Sequence, residues 1–170
     1  MQFIRELQVK YLKRPVPNAT LPEGPIAGPA EAAKFFIHML KDEPIERLVA
    51  LFLNARNEPL AFKQIGQGTI DHCPAYPAEI ARGALLANAV CVIVAHNHPS
   101  GHTEPSPQDI NFTRKVKEAL DSLDLCLHDS IIVSDSAYVS MRELGLLPQR
   151  LEPTRNHVPG YPSVPSEPCV

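Results

Sequence analysis

The sequence predicts an α/β protein in which helices pack on a mixed β-sheet, and three observations carry that prediction. Apolar runs of strand length alternate with stretches of helical period in the order α-β-β-α-β-α-β-β. Two of those runs, residues 47–54 and 89–95, are apolar almost throughout and read as buried strands. The 170 residues are 44% hydrophobic and 21% charged, which suits one globular domain of ordinary size with tails.

Each element has a local reason. Phe3, Ile4, Leu7, Val9, Tyr11 and Leu12 recur among charged residues, so residues 1–14 read as a strand with Arg5, Lys10, Lys13 and Arg14 on a solvated face. Residues 15–29 are proline-rich and read as a linker or surface loop. Pro29 opens a helix with Ala32, Ala33, Phe36, Ile37 and Leu40 on one face, and Pro44 ends it. Residues 47–54, a turn over 54–58 and a returning strand over 60–66 make an antiparallel hairpin. Gly66, Gly68 and residues 71–77 form a loop. Pro77 then sits in the first turn of a helix reaching about Asn88, where its missing N–H costs nothing.

The strand 89–95 follows. Ser106-Pro107-Gln108-Asp109 is a helix start with an N-cap serine, proline at N1 and an acid at N3. That helix continues through Phe112, Val116, Ala119 and Leu120 to about Ser122. Residues 125–134 and 137–140 read as the last two strands. The 18 prolines concentrate near the two ends, and the segment from Pro148 has no sustained period, so it is expected to be largely disordered. The division is residues 1–29, a domain over 30–147, and a tail over 148–170.

Composition narrows the function. A formal net charge of −3 lacks the broad positive footprint of a nucleic-acid-binding protein. No apolar stretch approaches the ~18 residues of a membrane span. Cys73, Cys91, Cys126 and Cys169 have no Cys-x-x-Cys spacing, and Cys91 and Cys126 lie in apolar runs, where cysteine reads as a small buried hydrophobe. With no signal peptide at the N-terminus, reduced thiols and a cytoplasmic setting are expected.

Residues 96–109, His-Asn-His-Pro-Ser-Gly-His-Thr-Glu-Pro-Ser-Pro-Gln-Asp, carry the chemistry. His96 and His98 stand at the mouth of a buried strand, and alternate strand residues share a face, so both imidazoles can converge while Asn97 points away. A tight loop containing Pro99, Gly101 and Pro105 allows Asp109, in the first turn of the next helix, to fold back over them. Two imidazoles and a carboxylate suit one Zn²⁺ ahead of Fe²⁺ or Mn²⁺, and three protein ligands leave the fourth position for water, as in catalytic sites. Water there can ionise near pH 7. Glu46, at the start of a buried strand, is the candidate general base, and the Ser106 hydroxyl the candidate donor to an oxyanion.

Each feature alone has a bland explanation: ordinary strand-end histidines, a capping box, a solvated glutamate. Their joint occurrence favours a site. His38, His72, His102, His128 and His157 acquire no role. Other metal motifs fail on spacing. There is no His-Glu-x-x-His, no His-x-Glu with a later Pro-Cys-x-x-Cys, and no His-x-His-x-Asp-His. The literal His-Asn-His is too compact for the nuclease motif of that name.

His96-x-His98, seven residues, Ser106-x-x-Asp109 and an upstream glutamate resemble the JAMM (MPN+) metalloprotease motif. Ala-His-Asn-His-Pro-Ser-Gly and the later Tyr-Val-Ser-Met-Arg-Glu-Leu-Gly-Leu-Leu resemble the bacterial RadC-like JAB-domain proteins more closely. The resemblance covers about residues 30–147. It implies a cytidine-deaminase-like, three-layer α/β/α core, with His96, His98 and Asp109 as zinc ligands, Glu46 as general base and Ser106 as oxyanion donor. The chain departs from the family pattern at Asp129-Ser130 (usually Asp-His), at His102 (commonly an acid) and at Pro77-Ala78-Glu79 (Pro-Arg-Glu). The helix-hairpin-helix region through which longer members bind DNA is not legible in these residues, which weakens transfer of the family's DNA-repair label.

The function expected is therefore a zinc-dependent metallopeptidase or isopeptidase acting on a peptide or protein substrate. The alternative is a non-catalytic, metal-stabilised binding module in a DNA repair or DNA-processing complex. A metal-dependent nuclease is disfavoured by the acidic net charge and by a single three-ligand site, since phosphoryl enzymes often use two metals. Neither the substrate nor the oligomeric state is written in the sequence.

Overall fold

A computed structural model describes residues 10–13, 24–68 and 76–147. Eight elements follow in the expected order: α1 (Pro29–Leu40), β1 (Arg47–Leu53), β2 (Pro59–Gln67), α2 (Tyr76–Leu86), β3 (Cys91–Asn97), α3 (Pro107–Asp121), β4 (Cys126–Val133) and β5 (Tyr138–Ser140). The strands form one mixed sheet in the order β2-β1-β3-β4-β5. Among the described residues, only β3 and β4 run parallel; every other pairing is antiparallel.

Strand alternation sorts the core into two layers. Leu48, Ala50 and Phe52 of β1, with Val92 and Val94 of β3, face α2 and α3. Val49, Leu51 and Leu53, with Ile93 and Ala95, face α1. Successive strand residues point to opposite faces, so a strand apolar at every position is what a sheet covered on both sides requires. The architecture is three-layer α/β/α. Within α2, Gly83 lies so close to β1 that a Cβ there would overlap the Phe52 ring.

Several boundaries depart from expectation. β3 reaches Asn97 rather than ending at Ala95, because its ladder with β4 continues to Asn97 opposite Val133. His96 is therefore inside the strand and not at its mouth. α1 ends at Leu40, where Lys41 turns extended and Asp42 takes a positive φ, rather than persisting to Pro44. It also buries Phe35, which the one-face reading omits. Cys126 is exposed and Cys91 half-buried, which corrects the expectation of buried hydrophobes; both open their strands, at the margin of the core.

Residues 10–13 have no regular secondary structure, and Tyr11 donates its hydroxyl to the Leu86 carbonyl at 2.7 Å. The rest of the expected N-terminal strand lies outside the described residues, as do most of the proline-rich segment, Cys73, Cys169, His72, His157 and the tail from Pro148. The end of the proline-rich segment is anchored: Ile26 is buried and its N–H bonds the Asn57 carbonyl. Among the described residues, no helix is long and apolar enough to cross a membrane.

Candidate metal centre

Antiparallel pairing of β1 with β3 sets Leu48 opposite His96. It thereby brings the residues just before β1 to the C-terminal end of β3. His98 stays aligned with the strand because its N–H bonds the Val133 carbonyl. The loop then turns sharply at Gly101, whose φ of 80° suits glycine and whose N–H bonds the His98 carbonyl. That turn returns the chain to Ser106 and the first turn of α3.

α3 opens with a full capping box. Asp109 N–H donates to Ser106 Oγ at 3.2 Å, while Ser106 N–H donates back to Asp109 Oδ2 at 2.8 Å. The Ser106 hydroxyl also donates to Asp109 Oδ2, at 2.6 Å. The carboxylate is thus anchored through Oδ2 at the positive end of the helix dipole, and Oδ1 faces His96.

His96 Nε2 lies 3.1 Å from Asp109 Oδ1 and 3.1 Å from His98 Nε2, and His98 Nε2 lies 3.5 Å from Asp109 Oδ2. Glu46 Oε1 is 3.8 Å from His96 Nε2. One donor atom from each of Glu46, His96, His98 and Asp109 falls within 4.8 Å of all the others, so the four form a candidate metal-binding group. Donors about 2.0–2.1 Å from a tetrahedral ion lie roughly 3.3 Å apart, and the spacings around His96, His98 and Asp109 bracket that value. His98 adds a second indication of fit: its Nδ1–H donates to the His102 carbonyl at 2.8 Å, which puts the Nε2 lone pair toward the centre. His96 Nδ1 is buried without a partner among the described residues. That ring is held by its place in β3 and not by a hydrogen bond behind it.

The electrostatics separate the two carboxylates. Burial alone would raise Asp109, but hydrogen bonds from His96 and His98 override it and hold this carboxyl far below the usual range. Glu46 goes the other way, since burial raises it against the opposing pull of His96. His98 is raised, chiefly by its hydrogen bond with Asp109. One acid is thus held as an anion, and the other keeps its proton to higher pH than an ordinary glutamate.

The sequence reading missed Asn97. Its side chain points away from the imidazoles, as strand alternation requires, but it clamps the segment that carries Glu46. Oδ1 accepts from Arg47 N–H at 2.8 Å, and Nδ2 donates to the carbonyls of Glu43 and Ile45 at 3.3 and 3.2 Å. A polar residue in an otherwise buried strand was the available signal. His102 contributes only its carbonyl. Ser130, on β4, lies on the α3 side of the sheet, where Thr113 donates to its hydroxyl at 2.9 Å.

A family profile described as RadC-like JAB domain matches residues 26–146. A UPF0758 protein of Halorhodospira halophila is 42% identical over 148 residues, covering 86% of this chain and 64% of the relative. A UPF0758 protein of Xylella fastidiosa is 42% identical over 122 residues, covering 72% of this chain and 54% of the relative. One of Marinobacter nauticus is 39% identical over 137 residues, covering 80% and 61%. The chain therefore spans somewhat more than half the length of these relatives.

Proposed function

The chain belongs to the RadC-like JAB domain family, and from that premise we propose that it is a zinc-dependent hydrolase of amide bonds, a metallopeptidase or isopeptidase. The observation that carries this reading is the convergence on His96, His98 and Asp109 of Glu46, the residue just before β1 and some fifty residues upstream. Glu46 Oε1 stands 3.8 Å from His96 Nε2, wider than the 3.1–3.5 Å spacings among His96, His98 and Asp109, which suits a base beside the three ligands rather than a fourth ligand closing the site.

His96, His98 and Asp109 would hold the ion. Bound Zn²⁺ supplies Lewis acidity, polarising a carbonyl and making water a nucleophile near neutral pH. The remaining work falls to the protein. Glu46 takes a proton from the attacking water and delivers it to the departing amine nitrogen, so that one water is consumed and a carboxylate and an amine are released. Ser106 keeps Asp109 oriented and, with its hydroxyl turned from that carboxylate, donates to the oxygen that gains charge. Asn97 fixes the position of the Glu46 segment through three hydrogen bonds.

A Glu46→Gln variant tests the reading. It should bind zinc as the parent does and lose about 10²–10⁴-fold in hydrolysis of peptide or isopeptide substrates. A zinc-loaded parent that turns over no amide across a broad peptide library would overturn it. In that case partner binding that needs His96 and His98 but not Glu46 would identify the metal-stabilised docking module instead.

A further inference from the structure

At the other end of β3, Cys91, Cys126 and His128 bring two thiols and an imidazole nitrogen within 4.8 Å of one another. Register explains the cluster. Cys91 sits beside Cys126 in the parallel β3–β4 pair, and His128, two residues beyond Cys126, projects to the same face. The ladder then becomes irregular, with Val92 opposite Leu127 but Ile93 opposite Asp129. His128 is the skipped residue, and an extra residue in a strand re-aims its side chain. His128 and Asp129 consequently both line a cavity of about 360 Å³ on the α1 side, together with Ile93 and Arg142.

We infer that Cys91, Cys126 and His128 form a second metal site, for a thiophilic closed-shell ion such as Zn²⁺ or Cu⁺, distinct from the His96, His98 and Asp109 centre. Two thiolates and an imidazole are the donors such ions select over oxygen-rich sites, and three protein ligands leave one position open. Two thiolates also neutralise a divalent ion, so the nearby Arg142 guanidinium does not oppose it. That guanidinium lies 3.4 Å from His128 Nε2, a contact long enough to yield to an ion. Burial and then the Arg142 charge lower His128 and keep it in the neutral form that ligates. Burial and the adjacent Cys126 thiol push Cys91 up to about 11. Both causes act in the absence of a cation, and a bound ion displaces the thiol protons.

The experiment is a Co²⁺ titration of the reduced 170-residue chain carrying His96→Ala and His98→Ala, which removes the first centre. One Co²⁺ should bind with a near-ultraviolet thiolate-to-cobalt charge-transfer band, which nitrogen and oxygen ligands cannot produce. Cys126→Ser or Cys91→Ser should abolish the band, and Zn²⁺ should bleach it. Absence of the band in the reduced parent overturns the proposal. So does a band that survives both serine variants, since Cys73 or Cys169 would then supply the sulfur. A measurement independent of the variants is alkylation of the unmutated chain: Zn²⁺ should slow iodoacetamide labelling of Cys91 and Cys126, read by peptide mass, and equal labelling with and without Zn²⁺ overturns the assignment.

Discussion

Replacing Asn97 with leucine tests the proposed base apart from the candidate metal ligands. Asn97 is 4% exposed and makes three hydrogen bonds, one accepted from Arg47 and two donated to Glu43 and Ile45. At a net ~1 kcal/mol per bond the loss is about 3 kcal/mol, and extra apolar burial by leucine returns roughly 1 kcal/mol, leaving about 2 kcal/mol of destabilisation. With a urea slope of ~2 kcal/mol/M for a domain of this size, the unfolding midpoint should fall by about 1 M at unchanged slope. The second readout is catalytic. Freed from its clamp, the Glu46 segment drifts, and a misplacement of ~1 Å in a reacting group costs on the order of 100-fold in turnover. Zinc content should stay at the parent level, because the ligands project from the opposite face of β3. An unchanged midpoint together with unchanged turnover would refute the clamp.

Ser106→Ala tells an oxyanion donor from a mere support for Asp109. Under the proposed mechanism kcat falls about 10²-fold or more in the zinc-saturated enzyme, whereas a purely supporting hydroxyl would weaken zinc affinity and leave saturated kcat intact. Gly83→Ala should lower the urea midpoint although helix propensity favours alanine by about 1 kcal/mol, because overpacking against the buried Phe52 ring costs about 1–3 kcal/mol; adding Phe52→Leu should reverse the sign, and a stabilising single variant would exclude the contact. For pH, Asp129 is raised by burial, ahead of the opposing hydrogen bonds from Ser140 and the Arg142 and Ser130 amides. The folded protein holds that proton to higher pH than the unfolded chain does, so its contribution to stability is lost as pH rises from the ordinary aspartate range, about 3.9, through the raised value. Chelator-treated Asp129→Asn should therefore lack part of the parent's decline over that window, and parallel pH profiles in urea melts would contradict the assignment.

The fold was legible because its signals are local: the continuous apolar runs of β1 and β3 mark strands buried on both faces, and the helix start at Ser106 and the hairpin over 47–66 follow from residue type and spacing. His96, His98 and Asp109 were legible for the same reason, being close together on elements whose geometry is fixed by 2-residue and 3.6-residue repeats. Glu46 required a weaker argument, a charge where a buried strand begins, because its proximity depends on β1–β3 pairing that no local pattern encodes. The Cys91, Cys126 and His128 cluster escaped altogether. It is created by the register of two parallel strands and by an irregularity between Val92 and Ile93, and neither has a signature in the sequence.

The three candidate ligands and the proposed base differ in how the chain brings them together. His96, His98 and Asp109 fall within fourteen residues, joined by one tight loop and one helix turn, so they meet as soon as that short segment takes shape. Glu46 joins them only when Leu48 finds His96, a closure spanning almost fifty residues and the whole of α2. Contacts of such long sequence separation are slow to form, because loop entropy must be overcome before they stabilise anything. Under the proposed mechanism, a nascent or partly unfolded chain would gather an ion while it still lacked its proton carrier. Hydrolytic competence would arrive with completion of the sheet, and a half-folded copy would be spared from attacking its neighbours.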